Sequence, residues 1–138
     1  MTPDELLPHA GEMVLLDRVV SWDEAGALCV TNAHLRPSNP LRRGDRLPAI
    51  CGAEFALQAA AVHGAMRHGE KRRAYVALLR DVDWTVERLD DATLGELHVA
   101  ARLVGETEVG VIYDLHIGSA VGDTLLTGRA VIAWTQET

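Results

Sequence analysis

A single carboxylate, Glu54, sits inside a long run of apolar and small residues, and Gln58 follows it four positions later. In a helix those two side chains lie one turn apart on the same face. Apolar surroundings raise a carboxyl pKa toward neutrality, where the group can give or take protons as a general acid or base. The structural alternative is an ion pair with Arg80 or with an arginine of the segment ahead of the run. His63 lies nine positions past Glu54, which at 100° per residue puts it on the opposite side of the helix. His68 falls in a basic turn, and His98 and His116 alternate with apolar neighbours, which points them to solvent or to a subunit interface. No spacing among His, Cys, Asp and Glu suggests a metal site. Cys29 and Cys51 form no CxxC pair and read as small buried hydrophobes in a reducing compartment.

These residues need a scaffold, and its centre is the stretch from Leu47 to Gly69, which reads as one long helix apolar on almost every side. Pro48 suits its first turn, Gly69 suits its stop, and the alanines between have high helix propensity. Twenty-odd residues span about 30 Å, but Glu54, Gln58 and His63 argue against a membrane span. The helix must therefore be wrapped by the rest of the chain, which supplies strands.

Asp4 to Leu7 reads as a helical turn ended by Pro8. Met13–Trp22 and Gly26–Leu35 read as a hairpin around Asp23-Glu24-Ala25-Gly26. Pro37, Ser38, Asn39, Pro40 and Gly44 make Arg36–Arg46 a loop. After the helix come a strand over Ala74–Trp84, an acidic connection over Val86–Thr93, and runs over Leu94–Val104, Val109–Ile117 and Thr124–Trp134. In the run from Leu94, Leu97, Val99, Ala101 and Leu103 share one face, with Glu96, His98 and Arg102 on the other. Such period-two alternation predicts an antiparallel sheet with one covered face. The expectation is an α+β chain with the hotdog fold, a long central helix wrapped by a curved antiparallel β-sheet, forming one domain over residues 1–138.

The net charge of −7 argues against general nucleic-acid affinity. The charge is unevenly spread. Nine basic residues stand against three acids between Arg36 and Arg80, concentrated in Arg42, Arg43 and Arg46 before the helix and in Arg67, Lys71, Arg72 and Arg73 after it. Such groups suit an acidic partner or a phosphate-bearing ligand, or else form a solvated loop surface. No signal peptide or membrane span is read, so a cytoplasmic protein is expected.

The segment Glu5-Leu-Leu-Pro-His-Ala-Gly-Glu-Met-Val-Leu-Leu-Asp-Arg-Val19 resembles the opening of the β-hydroxyacyl-acyl-carrier-protein dehydratases. The segment Leu47-Pro-Ala-Ile-Cys-Gly-Ala-Glu-Phe-Ala-Leu-Gln-Ala59 is similar to that family's Pro-Gly-Val-x-x-x-Glu-Ala-x-Ala-Gln. The likeness is closer still to the divergent hotdog proteins of aryl-polyene-type clusters. What the resemblance implies is dehydration of a β-hydroxyacyl thioester, with a histidine removing the α-proton, a helix carboxyl helping the hydroxyl leave, and backbone amides at the helix start holding the thioester oxygen. Carried over, Glu54 is the acid, Gln58 is the glutamine beside it, and Ala49 and Ile50 occupy the amide positions. The family's Gly-His-Phe-Pro-Gly loop is absent. Ser38-Asn39-Pro40-Leu41-Arg42-Arg43-Gly44 stands there without a histidine.

Three readings of that departure are open. His34 approaches the site from the end of the second strand, His9 serves although it is structural in the family, or the base is lost. Asn39 is a candidate for substrate binding, and Arg42, Arg43 and Arg46 for docking a carrier. No cofactor and no metal are expected. The expected partners are an acyl-carrier-protein or coenzyme A thioester, the carrier protein, and a second hotdog subunit, identical or related, in a dimer or higher oligomer. The competing functions are a thioesterase, in which the carboxylate activates water, and a silent partner of an active dehydratase.

Overall fold

The computed structural model of the chain describes residues 2–69 and 73–135. A short helix α1 (Pro3–Leu6) leads through a 3₁₀ turn to the hairpin β1 (Arg18–Asp23) and β2 (Gly26–Thr31). The long helix α2 (Gly52–His68) follows, and then β3 (Ala74–Trp84), β4 (Leu97–Glu106), β5 (Gly110–Gly118) and β6 (Thr124–Trp134). The strands form one sheet in the order β1-β2-β4-β5-β6-β3, antiparallel at every step. The strand after the helix thus crosses to the far edge, and the next one returns to pair with β2.

Alternation along the strands decides which face meets α2. Leu97, Val99 and Ala101 of β4 are buried while His98 and Arg102 are exposed, and Val111, Tyr113, Leu115 and Ile117 of β5 turn inward with them. The helix lays Phe55, Ala56, Ala59 and Val62 into this concave face, all but fully buried. Burying a side chain the size of Phe55 contributes about 2–3 kcal/mol. At the helix start, a side chain on Gly52 would run into the Ile117 methyl at 2.9 Å, so helix and sheet meet there almost backbone to core. At the other end Gly69, at φ 73°, takes the left-handed conformation that stops the helix.

The first strand begins later than its β-branched content predicts. Gly11–Met13 is a 3₁₀ turn, and the backbone from Met13 to Leu15 pairs with a side chain instead of a strand. The Leu15 amide donates to Gln58 Oε1 at 2.8 Å, and Gln58 Nε2 donates to the Met13 carbonyl at 2.6 Å. Likewise β2 ends at Thr31, and Ala33–Leu35 forms a 3₁₀ turn. The reason is the Thr31 hydroxyl, which donates to the Leu15 carbonyl and receives the Ala33 amide, turning the chain out of the sheet.

Helix α2 is covered all round except for one stripe. Ile50, in the 3₁₀ turn that opens it, Glu54, Leu57 and Ala61 recur at helical spacing and remain exposed or half-buried. Beside that stripe lies β3, whose outer edge has no strand neighbour among the described residues and whose Tyr75, Leu78 and Trp84 are 60%, 49% and 51% exposed.

Candidate active site

Glu54, Leu57 and Ala61 of the stripe and the start of β3 border a cleft of about 190 Å³. One end carries the chemistry: Pro8, His9, Glu54 and Gln58. The other end is apolar, with Ala61, Gly64 and Ala65 of the helix facing Val111, Ile132 and Trp134 of the sheet, and Ala74, Tyr75 and Val76 at the rim.

His9 reaches this cleft because its flanks are anchored. Leu6 and Leu7 are buried in the core on one side, and on the other Gly11, at φ 59°, turns the chain toward the Met13–Leu15 segment held by Gln58. His9 is half-buried, with its Nδ1 out of solvent and without a hydrogen-bond partner. Gln58 is almost wholly buried, and both ends of its amide are engaged by backbone, so its visible work is to position the stretch beside His9. A polar residue inside an apolar helix face was the signal for Gln58. Its partners, more than forty residues upstream in the chain, carried none.

Glu54 is exposed in the single chain instead of turned into the core, because the inward positions of the helix are filled by Ala53, Phe55 and Ala56. Among the described residues no arginine or lysine lies in ion-pair range of it. Arg80 pairs with Asp81, and Arg36 with Asp17. The carboxylate therefore faces the cleft and is not locked in a structural salt bridge.

His34 is placed elsewhere. It is fully buried in the 3₁₀ turn after β2 and does not line the cleft. Its Nε2–H donates to the Gly95 carbonyl at 2.8 Å, which leaves Nδ1 as an acceptor without a partner. Burial lowers its pKa and keeps the ring neutral. Asn39 is also a loop anchor, donating to the Ala33 carbonyl and accepting from the Leu41 amide, both at 2.9 Å.

The helix start is tied back to the acidic connection. The Ala49 amide donates to the Glu87 carbonyl at 3.0 Å, so it is occupied; the Ile50 amide belongs to the first turn, where helices leave donors without an intrahelical acceptor. Just before it, the Leu47 amide donates to Asp90, whose carboxylate also takes Arg88 and lies 3.7 Å from Arg42. The Arg88 hydrogen bond holds the Asp90 carboxyl far below its ordinary range. Arg42 donates to the carbonyls of His34, Arg36 and Asp45, and so staples the shortened loop together. Arg43 and Arg46 are exposed, the latter 3.8 Å from Glu87. Of the basic group after the helix, Arg67 is paired with Glu24 and Glu106, while Lys71 and Arg72 lie outside the described residues.

A contact that no local pattern announced lies beneath the cleft. Tyr113 donates its hydroxyl to His63 Nδ1 at 2.6 Å, and His63 Nε2–H donates to the Asp23 carbonyl at 2.8 Å. Only the carbonyl's inability to donate fixes that tautomer. Burial pushes the Tyr113 hydroxyl up to about 12 and the His63 imidazole down, so both stay neutral. Among the described residues no group of three or more His, Cys, Asp or Glu could hold a metal ion, and no helix is long and apolar enough to cross a membrane.

One long helix in the concave face of a six-stranded antiparallel sheet, with a helix carboxylate at a cleft beside the free edge, defines an α+β protein of the hotdog fold. Solved structures share it. A chain of the dehydratase heterocomplex ApeI:P from Xenorhabdus doucetiae superposes with TM-score 0.85 at 20% identity, covering 99% of this chain and 93% of that one. The E. coli PaaI protein of the phenylacetic acid degradation operon gives 0.62 at 16% identity, covering 83% and 80%. A hypothetical thioesterase with coenzyme A from Streptococcus pneumoniae gives 0.60 at 12%, covering 87% and 86%. No curated protein matches by sequence. Residues 1–135 match the ApeP-like family, described as ApeP dehydratase, and the chain belongs to that family. Its function is accordingly of the hotdog dehydratase type.

Proposed function

We propose that this chain is a cytoplasmic dehydratase subunit that removes water from 3-hydroxyacyl thioesters carried on an acyl carrier protein or coenzyme A, working in a dimer or higher oligomer with a related hotdog subunit. One observation carries the reading: the carboxylate of Glu54 and the imidazole of His9 line the same apolar-walled cleft. In the forward direction His9 takes the α-proton, the electron pair of that C–H bond forms the new double bond, and the β-hydroxyl leaves as water with a proton from Glu54. The thioester oxygen is assigned to the Ile50 amide, in the 3₁₀ turn that opens α2, where the positive end of the helix favours developing negative charge. The chemistry is an elimination and calls on no redox cofactor.

Glu54 is exposed in one chain, and keeping water from a carboxyl favours the protonated form that can act as an acid. The uncovered apolar edge of β3, which rims the cleft, is where a second subunit would supply that cover. The ApeI:P structure is a heterocomplex by its own description, in keeping with a related subunit as that partner. Carrier docking falls to Arg43 and Arg46, since Arg42 is committed to the loop.

A second reading is that the chain is the silent half of such a pair. The observation favouring it is that the shortened loop Ser38–Gly44 carries no histidine and that His34 lies in a packed corner. Reversible hydration of a crotonyl thioester, followed for the purified chain, for the chain with a related subunit, and for Glu54→Gln in both, separates the readings. Loss of turnover in Glu54→Gln supports the dehydratase. Undiminished turnover of that variant in the complex makes the chain the silent half, and release of free thiol marks a thioesterase.

A further inference from the structure

We infer that the face of the sheet turned away from α2 is a self-recognition surface, on which a second copy of this chain stacks sheet against sheet about a twofold axis. The inference does not rest on the catalytic reading and comes from the strand register. Residues paired across strands share a face. Val99 and Ala101 turn inward, so Arg102 turns outward, and the pairings through it carry one row across all six strands. From β1 to β3 that row is Asp23, Gly26, Arg102, Asp114, Arg129 and Arg80. The row is its own complement. Turned about an axis that runs along the strands between β4 and β5, Arg102 meets the second copy's Asp114, and Asp114 its Arg102. Arg80 at one end meets Asp23 of the other, and Arg129 meets Gly26, which has no side chain to obstruct it. No like charges of the row oppose each other, and in such an isologous contact each pair occurs twice. Strands about 4.8 Å apart keep the pairs in step, and stacked sheets stand about 10 Å apart, a gap that opposed side chains fill when one of them is arginine.

Three observations choose this occupant. The first is an open pairing. Asp114 is held by Arg129 at 2.8 and 3.2 Å, yet its side chain stays 47% exposed and can accept a second guanidinium. Arg102 is exposed and, among the described residues, makes no hydrogen bond or ion pair. The second is the balance of charge. The chain carries −7, but this row, with Asp81 that lines the hollow beside Arg129, sets three arginines against three aspartates. A balanced face offers an acidic carrier or a nucleic acid no net attraction, whereas an alternating one matches its own rotated image. The third is apolar. Ile112, Val131 and Leu78 are paired as the next row on the same face, and Leu78 is 49% exposed, so stacking would remove apolar surface from water beside the charged row.

The test is a charge exchange between two variants of the full chain, followed by sedimentation velocity. Arg102→Glu sets a carboxylate against the second copy's Asp114, and Asp114→Lys sets an ammonium against its Arg102. Each variant alone should associate about tenfold more weakly or worse and halve the number of chains per particle. Mixed in equal amounts, the two variants face opposite charges at both positions, and the particle should regain the wild-type mass. Arg102→Lys should assemble as the wild type does, and melting curves confirm that each variant is folded. If Asp114→Lys does not fold, Asp23→Lys mixed with Arg80→Glu makes the same exchange at the ends of the row. A wild type that is monomeric at every concentration, a mass that Arg102→Glu leaves unchanged, or folded variants that stay apart on mixing overturns the stacking. Turnover plays no part in these readings, so their failure leaves the dehydratase reading standing, and loss of that reading leaves the stacking to be judged by mass alone.

Discussion

His9 and His34 each bury an Nδ1 that has no hydrogen-bond partner, and they differ in nearly everything else. His34 sits in a packed corner where its other nitrogen is bound to the Gly95 carbonyl, and it does not line the cleft. His9 is half-buried at the mouth of a cleft that also receives Glu54. The unpartnered Nδ1 is a standing cost to stability in both rings, and what His9 offers a substrate is the part of its half-buried ring that lines the cleft. Access, more than residue type, separates a core imidazole from a candidate base.

Exchanging the two fates is the strongest test. His9→Asn is expected to lower kcat about a hundredfold or more, in line with loss of a general base, with the melting temperature nearly unchanged. His34→Asn should do the reverse, costing about 1–3 kcal/mol by stranding the Gly95 carbonyl while the folded fraction keeps its turnover. Steady-state kinetics and thermal melts on the same samples check both; a large kinetic defect confined to His34→Asn would invert the comparison.

The corner itself can be loosened through Asp90. Asp90→Ala leaves the Leu47 amide without its acceptor and releases Arg88, for an expected loss of about 2 kcal/mol in denaturant titrations. Because its folded pKa is depressed, the Asp90 contribution is fully present above the unfolded carboxylate value near 4 and is lost as pH falls below it. The wild type should therefore lose stability in that acid window faster than Asp90→Ala does.

A smaller effect comes from the buried imidazoles. The pKa values of His34 and His63 are lowered by burial, so the unfolded chain takes up protons first as pH drops below about 6.5. Stability should fall on that side by at most about 1.4 kcal/mol per pH unit for each histidine, and His34→Asn should flatten the slope. An equal slope in wild type and variant would show that His34 is not held neutral. The smallest expected change is at the rim. Arg43→Glu should raise KM for a carrier-bound substrate by a few-fold, as exposed charge pairs contribute up to about 1 kcal/mol, and leave a short soluble thioester unaffected.

Much of the architecture was legible in the residues. The apolar run ending in Gly69 predicted the long helix, and the alternation of Leu97, Val99 and Ala101 with His98 and Arg102 predicted both the strand and its buried face. The β-branched run from Met13 misled. A glutamine side chain on α2 took the hydrogen bonds that a strand neighbour would have made, so β1 begins only at Arg18. At the site, the helical spacing of Glu54 and Gln58 was readable, and so was His63 on the opposite side. That Glu54 faces an open cleft, that Gln58 holds backbone, and that the Ala49 amide is occupied by Glu87 was not.

What the sequence by itself determined are properties of period and propensity: where the helix and strands run, which of their faces are apolar, and which residues carry protons. Those are local, because rise and twist per residue fix side-chain direction within an element. Tertiary structure alone decided which polar atoms are satisfied and which stay open, since Gln58 meets Leu15 and His63 meets Tyr113 across gaps of 43 and 50 residues. Function hangs on that second list, because only a group left accessible by its neighbours can exchange a proton with a substrate.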